Sequence, residues 1–225
     1  IAQTHRARTK DGDEVVVKVQ RPGIEATMRS DLDLLYLSAQ ILEASIDEMQ
    51  LVGVVSLVEE FEKGLLRELN FHQELANLLE FQRNLDPERK VTVPRPYPEL
   101  STRTVLTMQF FKGRPIRKLV PKSPEAQAVV NEILHASMKQ VFVDGVFHGD
   151  PHAGNLLYDE DGTVCMIDLG MVGHVSQEQR DDIVAVAVAT IANDATTIAR
   201  LLLKMGTPTQ RVNLAELKSD IERIR

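Results

Sequence analysis

Two short segments constrain this chain more than anything else in it. One is His148-Gly149-Asp150-Pro151-His152-Ala153-Gly154-Asn155; the other is Ile167-Asp168-Leu169-Gly170. Asp150 and Asn155 must share one tight loop. Leu156-Leu157-Tyr158 and Val164-Cys165-Met166-Ile167 are short apolar runs flanking Asp159-Glu160-Asp161-Gly162. Asp-Gly between such runs is a strong hairpin-turn signal. A hairpin there returns Asp168 to the side of Asp150 and Asn155. Asp161 reads as an ordinary solvated turn carboxylate. An Asp, an Asn five residues on and a second Asp in Asp-x-Gly make up the acidic half of a kinase-type phosphoryl-transfer site. In such a site Asp150 orients the nucleophile, while Asn155 and Asp168 hold magnesium.

The basic half is expected far upstream. Glu14-Val15-Val16-Val17-Lys18-Val19-Gln20 reads as a buried strand after the turn Lys10-Asp11-Gly12-Asp13. A lysine leaving a β-branched run needs a partner, because a buried ammonium is costly without one. Val-Val-Val-Lys has the form of the kinase strand whose lysine pairs the nucleotide phosphates and a helix glutamate. The chain order, lysine first and acidic loop later, is the one such a site requires.

The helix glutamate should follow. Ser56-Leu57-Val58-Glu59 reads as a capping box opening one long helix through Phe61, Leu65, Leu69, His72 and Leu78 to about Asn84. Glu68 and Glu74 are both candidates for the partner of Lys18. Six positions apart on one helix, they would be offset around it and could not share a role. Periodicity leaves the choice open.

Net charge −7 argues against a non-specific nucleic-acid binder, which needs a basic face. The single cysteine, Cys165, excludes a disulfide framework and a Cys-rich zinc site and fits a reducing compartment. It reads as core packing. The expected location is cytoplasmic or on a membrane face of a reducing compartment, organelles included. No run reaches the ~18 apolar residues of a membrane span. The longest, Ile183 to Ala192, is expected to be a buried core helix. No stretch has the form of a signal peptide. The chain opens on Ile1 inside an apparent motif, so an excerpt of a longer protein is expected.

The rest of the chain reads as an α+β, two-lobed protein-kinase-like fold. A β-hairpin covers residues 1–20, and a helical region runs from Pro22 to about Met49, with Ile24, Met28, Leu32, Leu35 and Ala39 near one face. The proline-punctuated stretch Val91–Pro98 is an edge or connecting segment. Residues 104–110 form a strand, broken at Phe111-Lys112-Gly113-Arg114-Pro115. That break is the expected hinge between an N-lobe, residues 1–112, and a C-lobe, residues 113–225. Adenine would then lie against the backbone of Met108 to Phe111, including Phe110. A helix is expected from Pro124 to Val143, with Val129, Ile133, Ala136, Met138 and Val141 mostly inward. Ser176-Gln177-Glu178-Gln179 starts another helix. The segment between Asp168 and that helix is too short to dock a peptide, and no Ala-Pro-Glu follows, which argues against a conventional protein-kinase substrate. Neither Gly-x-Gly-x-x-Gly nor a Walker sequence covers the phosphates.

These motifs and departures together resemble the UbiB (AarF-type) atypical kinase-like proteins. The resemblance rests on Ile1-Ala2-Gln3-Thr4-His5-Arg6-Ala7, Val17-Lys18-Val19-Gln20-Arg21-Pro22-Gly23-Ile24 and Glu68-Leu69-Asn70-Phe71-His72-Gln73-Glu74-Leu75-Ala76-Asn77. It continues in order through Leu106–Phe110, His148–Asn155 and Ile167–Gly170. It implies a kinase-like fold in which an alanine-rich loop, with Ala2 in its tail, replaces the glycine-rich one. It implies ATP or ADP with Mg2+ as cofactors and a link to ubiquinone or other isoprenoid-lipid metabolism. Isoprenoid lipids, lipid-biosynthesis proteins and peripheral membrane contact are the implied partners. In the family a Glu-x-Asp motif meets an N-terminal Lys-x-Gly-Gln segment. Here Glu68-Leu69-Asn70 has Asn in place of that Asp, and the Lys-x-Gly-Gln segment lies outside the chain. Assigning Glu68 to that motif leaves Glu74 as the partner of Lys18.

Three other readings compete. A small-molecule kinase of the aminoglycoside or choline type shares the His-Gly-Asp pattern and the short later segment. A nucleotide-sensing pseudokinase would keep binding without turnover. A transition-metal site at His148, Asp150 and His152 would use their alternate spacing, although the magnesium reading already accounts for that loop, with His148 and His152 as hydrogen-bonding braces.

Overall fold

The computed structural model describes residues 1–46, 49, 53–206 and 212–224. A strand-bearing N-terminal part leads into a mostly helical remainder, as the α+β class requires. The opening hairpin pairs β1 (Ala2–Arg8) with β2 (Glu14–Gln20), and β4 (Val105–Gln109) adds on the other side of β2 in an antiparallel sheet. The register sets Thr4 and Leu106 on either side of Lys18. Paired on both sides, β2 with its Lys18 is the central strand, and Val15, Leu106 and Met108 are buried in this sheet. The proline-rich stretch lies along β4 as an edge: Tyr97 N donates to Thr107 O at 2.9 Å, and Gln109 N donates to Arg95 O at 2.8 Å.

A second sheet has the order β3-β8-β7-β5, from Val91–Thr92, Val164–Met166, Leu156–Tyr158 and Arg114–Pro115. Its centre is the expected hairpin, with Leu156 opposite Met166 and Tyr158 opposite Val164. Gly162 closes the turn at φ +78°, a conformation that strains any residue with a Cβ. All three residues of β8 are buried, Cys165 among them, and burial pushes its thiol pKa up, so it is packing rather than chemistry. Part of the expected hinge is strand: Arg114 pairs with Tyr158 and Pro115 with Leu157. A Cβ on Gly113 would meet the Phe111 ring and the Tyr158 carbonyl, so glycine is what lets the chain pass there.

α1 (Ile24–Ser45) packs on α2 (Val54–Glu68), and α3 (Phe71–Arg83) follows. Here two expectations are corrected. Ser56 does not open a helix, because α2 already begins at Val54 behind Gly53, which caps it in the left-handed conformation with no side-chain bond. Nor is there one helix to Asn84. The chain breaks at Leu69-Asn70, where Gln20 Nε2 takes the Leu69 carbonyl at 2.6 Å and Phe71 N donates to Arg103 O at 3.0 Å. Asn70 then caps α3, its side chain accepting from His72 N. Asn is a strong N-cap residue, and that signal was present in the sequence. On α1, Leu32 and Ala39 are buried but Leu35 is exposed.

α4 (Pro124–Lys139) runs into a π-helical turn at Gln140–Asp144, which ends at the left-handed Gly145. Val129 is buried as expected; Met138 is exposed instead. β6 (Val146–His148) and β9 (Val172–His174) pair in a two-stranded sheet. α5 (Gln177–Ile191) starts with the full capping box of Ser176 and Gln179. α6 (Ala195–Met205) and α7 (Leu214–Ile224) complete the chain. The Ile183–Ala192 run is not a buried helix: Val184, Val188 and Ile191 are 47%, 59% and 83% exposed, and only Ala189 of α5 is buried. Among the described residues no helix is long and apolar enough to cross a membrane. The chain packs as two compact units, one of Ile1–Ala136 with His148–Val172 and the other of Ser137–Phe147 with Gly173–Arg225.

Candidate active site

The first unit brings both halves of the expected site together. Lys18 leaves the middle of β2, and its Nζ lies 2.6 Å from Glu74 Oε1 and 3.4 Å from Asp168 Oδ2. Glu74 is on the inward face of α3 with Phe71, Leu75, Leu78 and Phe81 and is only 5% exposed. An unpaired carboxylate there would be strongly unfavourable, and the ammonium offsets that. Of the two glutamates left open by periodicity, Glu74 is therefore the one bonded to Lys18.

Glu68 is not on the far side of the same helix. Because the chain breaks after it, Glu68 closes α2 and reaches the Asp168 loop. A Cβ on Gly170 would sit 2.7 Å from Glu68 Oε1. Burial raises the Glu68 pKa, and the Asp168 and Asp150 carboxylates push the same way against the attraction of Lys18. Burial likewise raises the Glu74 pKa; Lys18 opposes this, and Asp168 and Glu68 add to it. Burial would lower the Lys18 pKa, but Glu74 and Asp168 outweigh it, and the net direction is up. Both members of the pair hold protons more tightly, Glu74 chiefly because it is buried and Lys18 because two carboxylates face it. Glu74 and Asp168 contact the one ammonium, Glu68 feels it, and Asp150 adds its charge beside Glu68, so the site carries excess negative charge. Lys18 is accordingly a firm cation, and the whole site attracts further ones.

The Asp150–Asn155 loop is tight, as its sequence requires. His152 N donates to Asp150 O and Asn155 N to His152 O, both at 2.9 Å, and Asn155 Nδ2 donates to Asp150 O at 3.2 Å. Ile167 N donates to Asn155 O at 2.9 Å, which fixes Asn155 next to Asp168. Both histidines brace the loop: Asp150 N donates to His148 Nδ1, and Gly154 N donates to His152 Nδ1. Burial lowers the His148 pKa, so it acts as a neutral acceptor. The geometry gives the transition-metal reading of His148, Asp150 and His152 no support. Among the described residues no three His, Cys, Asp or Glu side chains converge to hold a metal by themselves. The ring nitrogens facing the loop are occupied by backbone N–H groups. Magnesium chemistry is different, since that ion is commonly held by one or two protein oxygens plus phosphates and water. Asn155 and Asp168 fit that pattern, and Asp168 Oδ2 is on the Lys18 side.

Ala2 begins β1, two residues from Thr4, which is opposite Lys18. Met108 is buried in β4 opposite Val16. Phe110 follows the strand, and the Arg6 guanidinium is 4.2 Å from its ring centroid. The N–H of Gln109 bonds Arg95 O and that of Phe110 bonds Glu14 O, so these two donors are already used within the protein. Arg6, Gln20 and Asn77 went unassigned in the sequence. For Asn77 a signal existed: it is a polar residue three positions after Glu74, hence on the same inward face.

A strand lysine ion-paired to a helix glutamate, with an Asp-x-Gly carboxylate beside the ammonium and an Asp-to-Asn loop next to it, defines a kinase-like domain. Residues 1–202 match the ABC1 atypical kinase-like domain, and the chain belongs to that family. It is 33% identical over its whole length to a Synechocystis protein called "Uncharacterized protein slr0889", of which it covers 58%. It is 32% identical over 92% of its length to the "Probable protein kinase UbiB" of Azotobacter vinelandii, covering 40% of that protein. The chain thus spans about half the length of these curated relatives. Its fold resembles that of Mycobacterium tuberculosis Rv3197, solved with erythromycin, with a TM-score of 0.69 at 22% identity over 99% of this chain and 57% of that one.

Proposed function

We propose that this chain binds Mg-ATP, or ADP, and acts as an ATP-dependent phosphotransferase or ATPase of the UbiB type. The observation that carries the reading is the Lys18 ammonium held between Glu74 and Asp168 at 2.6 and 3.4 Å. Lys18 grips the phosphates and Glu74 positions it. Asn155 and Asp168 hold Mg2+, which when bound neutralises charge on the phosphoryl oxygens. Asp150 orients the attacking group. Ala2 covers the phosphates, and Met108 and Phe110 border the adenine, between an N-lobe of residues 1–112 and a C-lobe of residues 113–225. Positioning and charge neutralisation are most of what phosphoryl transfer asks of a protein.

A role in ubiquinone or other isoprenoid-lipid metabolism, with isoprenoid lipids or lipid-biosynthesis proteins as partners beside a membrane, follows from the resemblance to UbiB proteins. The test is thermal unfolding with and without Mg-ATP for wild type, Lys18→Ala and Asp168→Asn. Nucleotide at about 100 times its Kd adds about 2.7 kcal/mol. For a chain of this size that is a rise of about 5–10 °C. The reading requires a magnesium-dependent rise in wild type that both substitutions reduce. A wild type indifferent to Mg-ATP refutes it.

A further inference from the structure

Resting on that reading, we propose that Asn77 is a positioning residue that latches the Asp168 loop to the helix carrying Glu74. Asn77 is 3% exposed on the apolar face of α3, where a leucine would pack without polar cost. A carboxamide is kept at such a place only if it is bonded. Its Nδ2 donates to the Leu169 carbonyl at 2.7 Å, and its oxygen accepts from Gln73 Nε2 at 3.1 Å, which orients the amide. Leu169 is fully buried between Asp168 and Gly170.

The bonds close a ring. Lys18 joins Glu74 to Asp168, α3 joins Glu74 to Asn77 one turn later, and Asn77 joins Leu169, which adjoins Asp168. The ring has two links between α3 and the Asp168 loop, and they differ in kind. The Lys18–Asp168 link must loosen when the ammonium turns to a phosphate. The Asn77–Leu169 link involves no group that touches nucleotide or metal. It therefore keeps Asp168 in place at the moment Lys18 releases it, so that one helix aligns the phosphate grip with the metal carboxylate.

The test uses Asn77→Leu, which keeps size and removes the donor, with Asn77→Asp as a second variant should the first not fold. Two quantities are read: the Mg2+ concentration that half-saturates ATP binding, and hydrogen exchange over residues 167–171 in ligand-free protein, with the β7–β8 hairpin as internal reference. Loss of a group that orients a metal ligand typically weakens metal binding about 10–100-fold. We expect a Mg2+ requirement raised by about that factor, Mg-free nucleotide affinity unchanged, and faster exchange confined to 167–171. A folded variant with wild-type Mg2+ requirement and wild-type exchange overturns the latch. So does a uniform rise in exchange that includes the hairpin, which would make Asn77 merely structural. If wild type binds no Mg-nucleotide, the proposed function falls, and the exchange comparison alone decides the latch.

Discussion

Replacing Lys18 by methionine should destabilise the protein in a manner that depends steeply on pH. The substitution leaves the Glu74 carboxyl, whose side chain is 6% exposed, without its ammonium. Removing one partner of a buried pair ordinarily costs about 3–5 kcal/mol. Glu74 has an escape, however, because it can take up a proton. Starting from an ordinary carboxyl value of 4.5, neutralising it at pH 7 spans about 2.5 pH units, which is about 3.4 kcal/mol and sets a ceiling on the loss. At pH 5 the same ceiling is below about 1 kcal/mol. In the variant burial still raises the Glu74 pKa, with no ammonium to oppose it. Its stability is thus intact below the unfolded value and lost as the pH climbs. Unfolding followed by circular dichroism should show Lys18→Met lowered by up to about 7–14 °C at pH 7, and within about 3 °C of wild type at pH 5. Adding Glu74→Gln should restore most of the loss at pH 7. An equal deficit at both pH values, or no recovery in the double variant, would show that the buried carboxylate is not the source.

Glu68→Gln should raise the melting temperature of ligand-free protein at pH 7 and leave it unchanged at pH 4. Burial and the neighbouring Asp168 and Asp150 raise the Glu68 pKa, and a raised carboxyl loses stability as the pH rises through its folded value. Mg-nucleotide should shrink the difference, and a melting temperature lowered at pH 7 would contradict the crowding of negative charge. Asn70→Ala removes the cap that accepts from His72 N and should cost about 1 kcal/mol, or about 2–4 °C, whereas Asn70→Asp should be nearly neutral. Equal losses in the two variants would mean that Asn70 is not acting as a cap.

The acidic half of the site was legible because its determinants are local. Asp161-Gly162 specifies a turn, the apolar runs around it specify two short strands, and the hairpin geometry returns Asp168 to Asn155 within a few residues. The cap of α5 and the opening hairpin were legible for the same reason. The partner of Lys18 was not. Helical periodicity runs unbroken across Leu69, since Phe61, Leu65, Leu69 and His72 recur at steps of four, four and three. The break there is made by Gln20 and Arg103, residues remote in the chain. Only that break turns Glu68 and Glu74, which one helix would have set apart, toward the same ammonium and the same aspartate.

What the amino-acid order settled by itself was therefore chemistry and local shape: a lysine in a β-branched strand, hard-oxygen donors on a tight loop, and turns at Gly12 and Gly162. Tertiary structure alone decided which carboxylate meets Lys18, that Asn77 bonds Leu169 at 2.7 Å, and that Val184, Val188 and Ile191 face outward. The physical reason is range. Turn, cap and strand preferences act over a few residues and can be read in order along the chain. Burial and the satisfaction of buried polar groups depend on which distant segments arrive as neighbours.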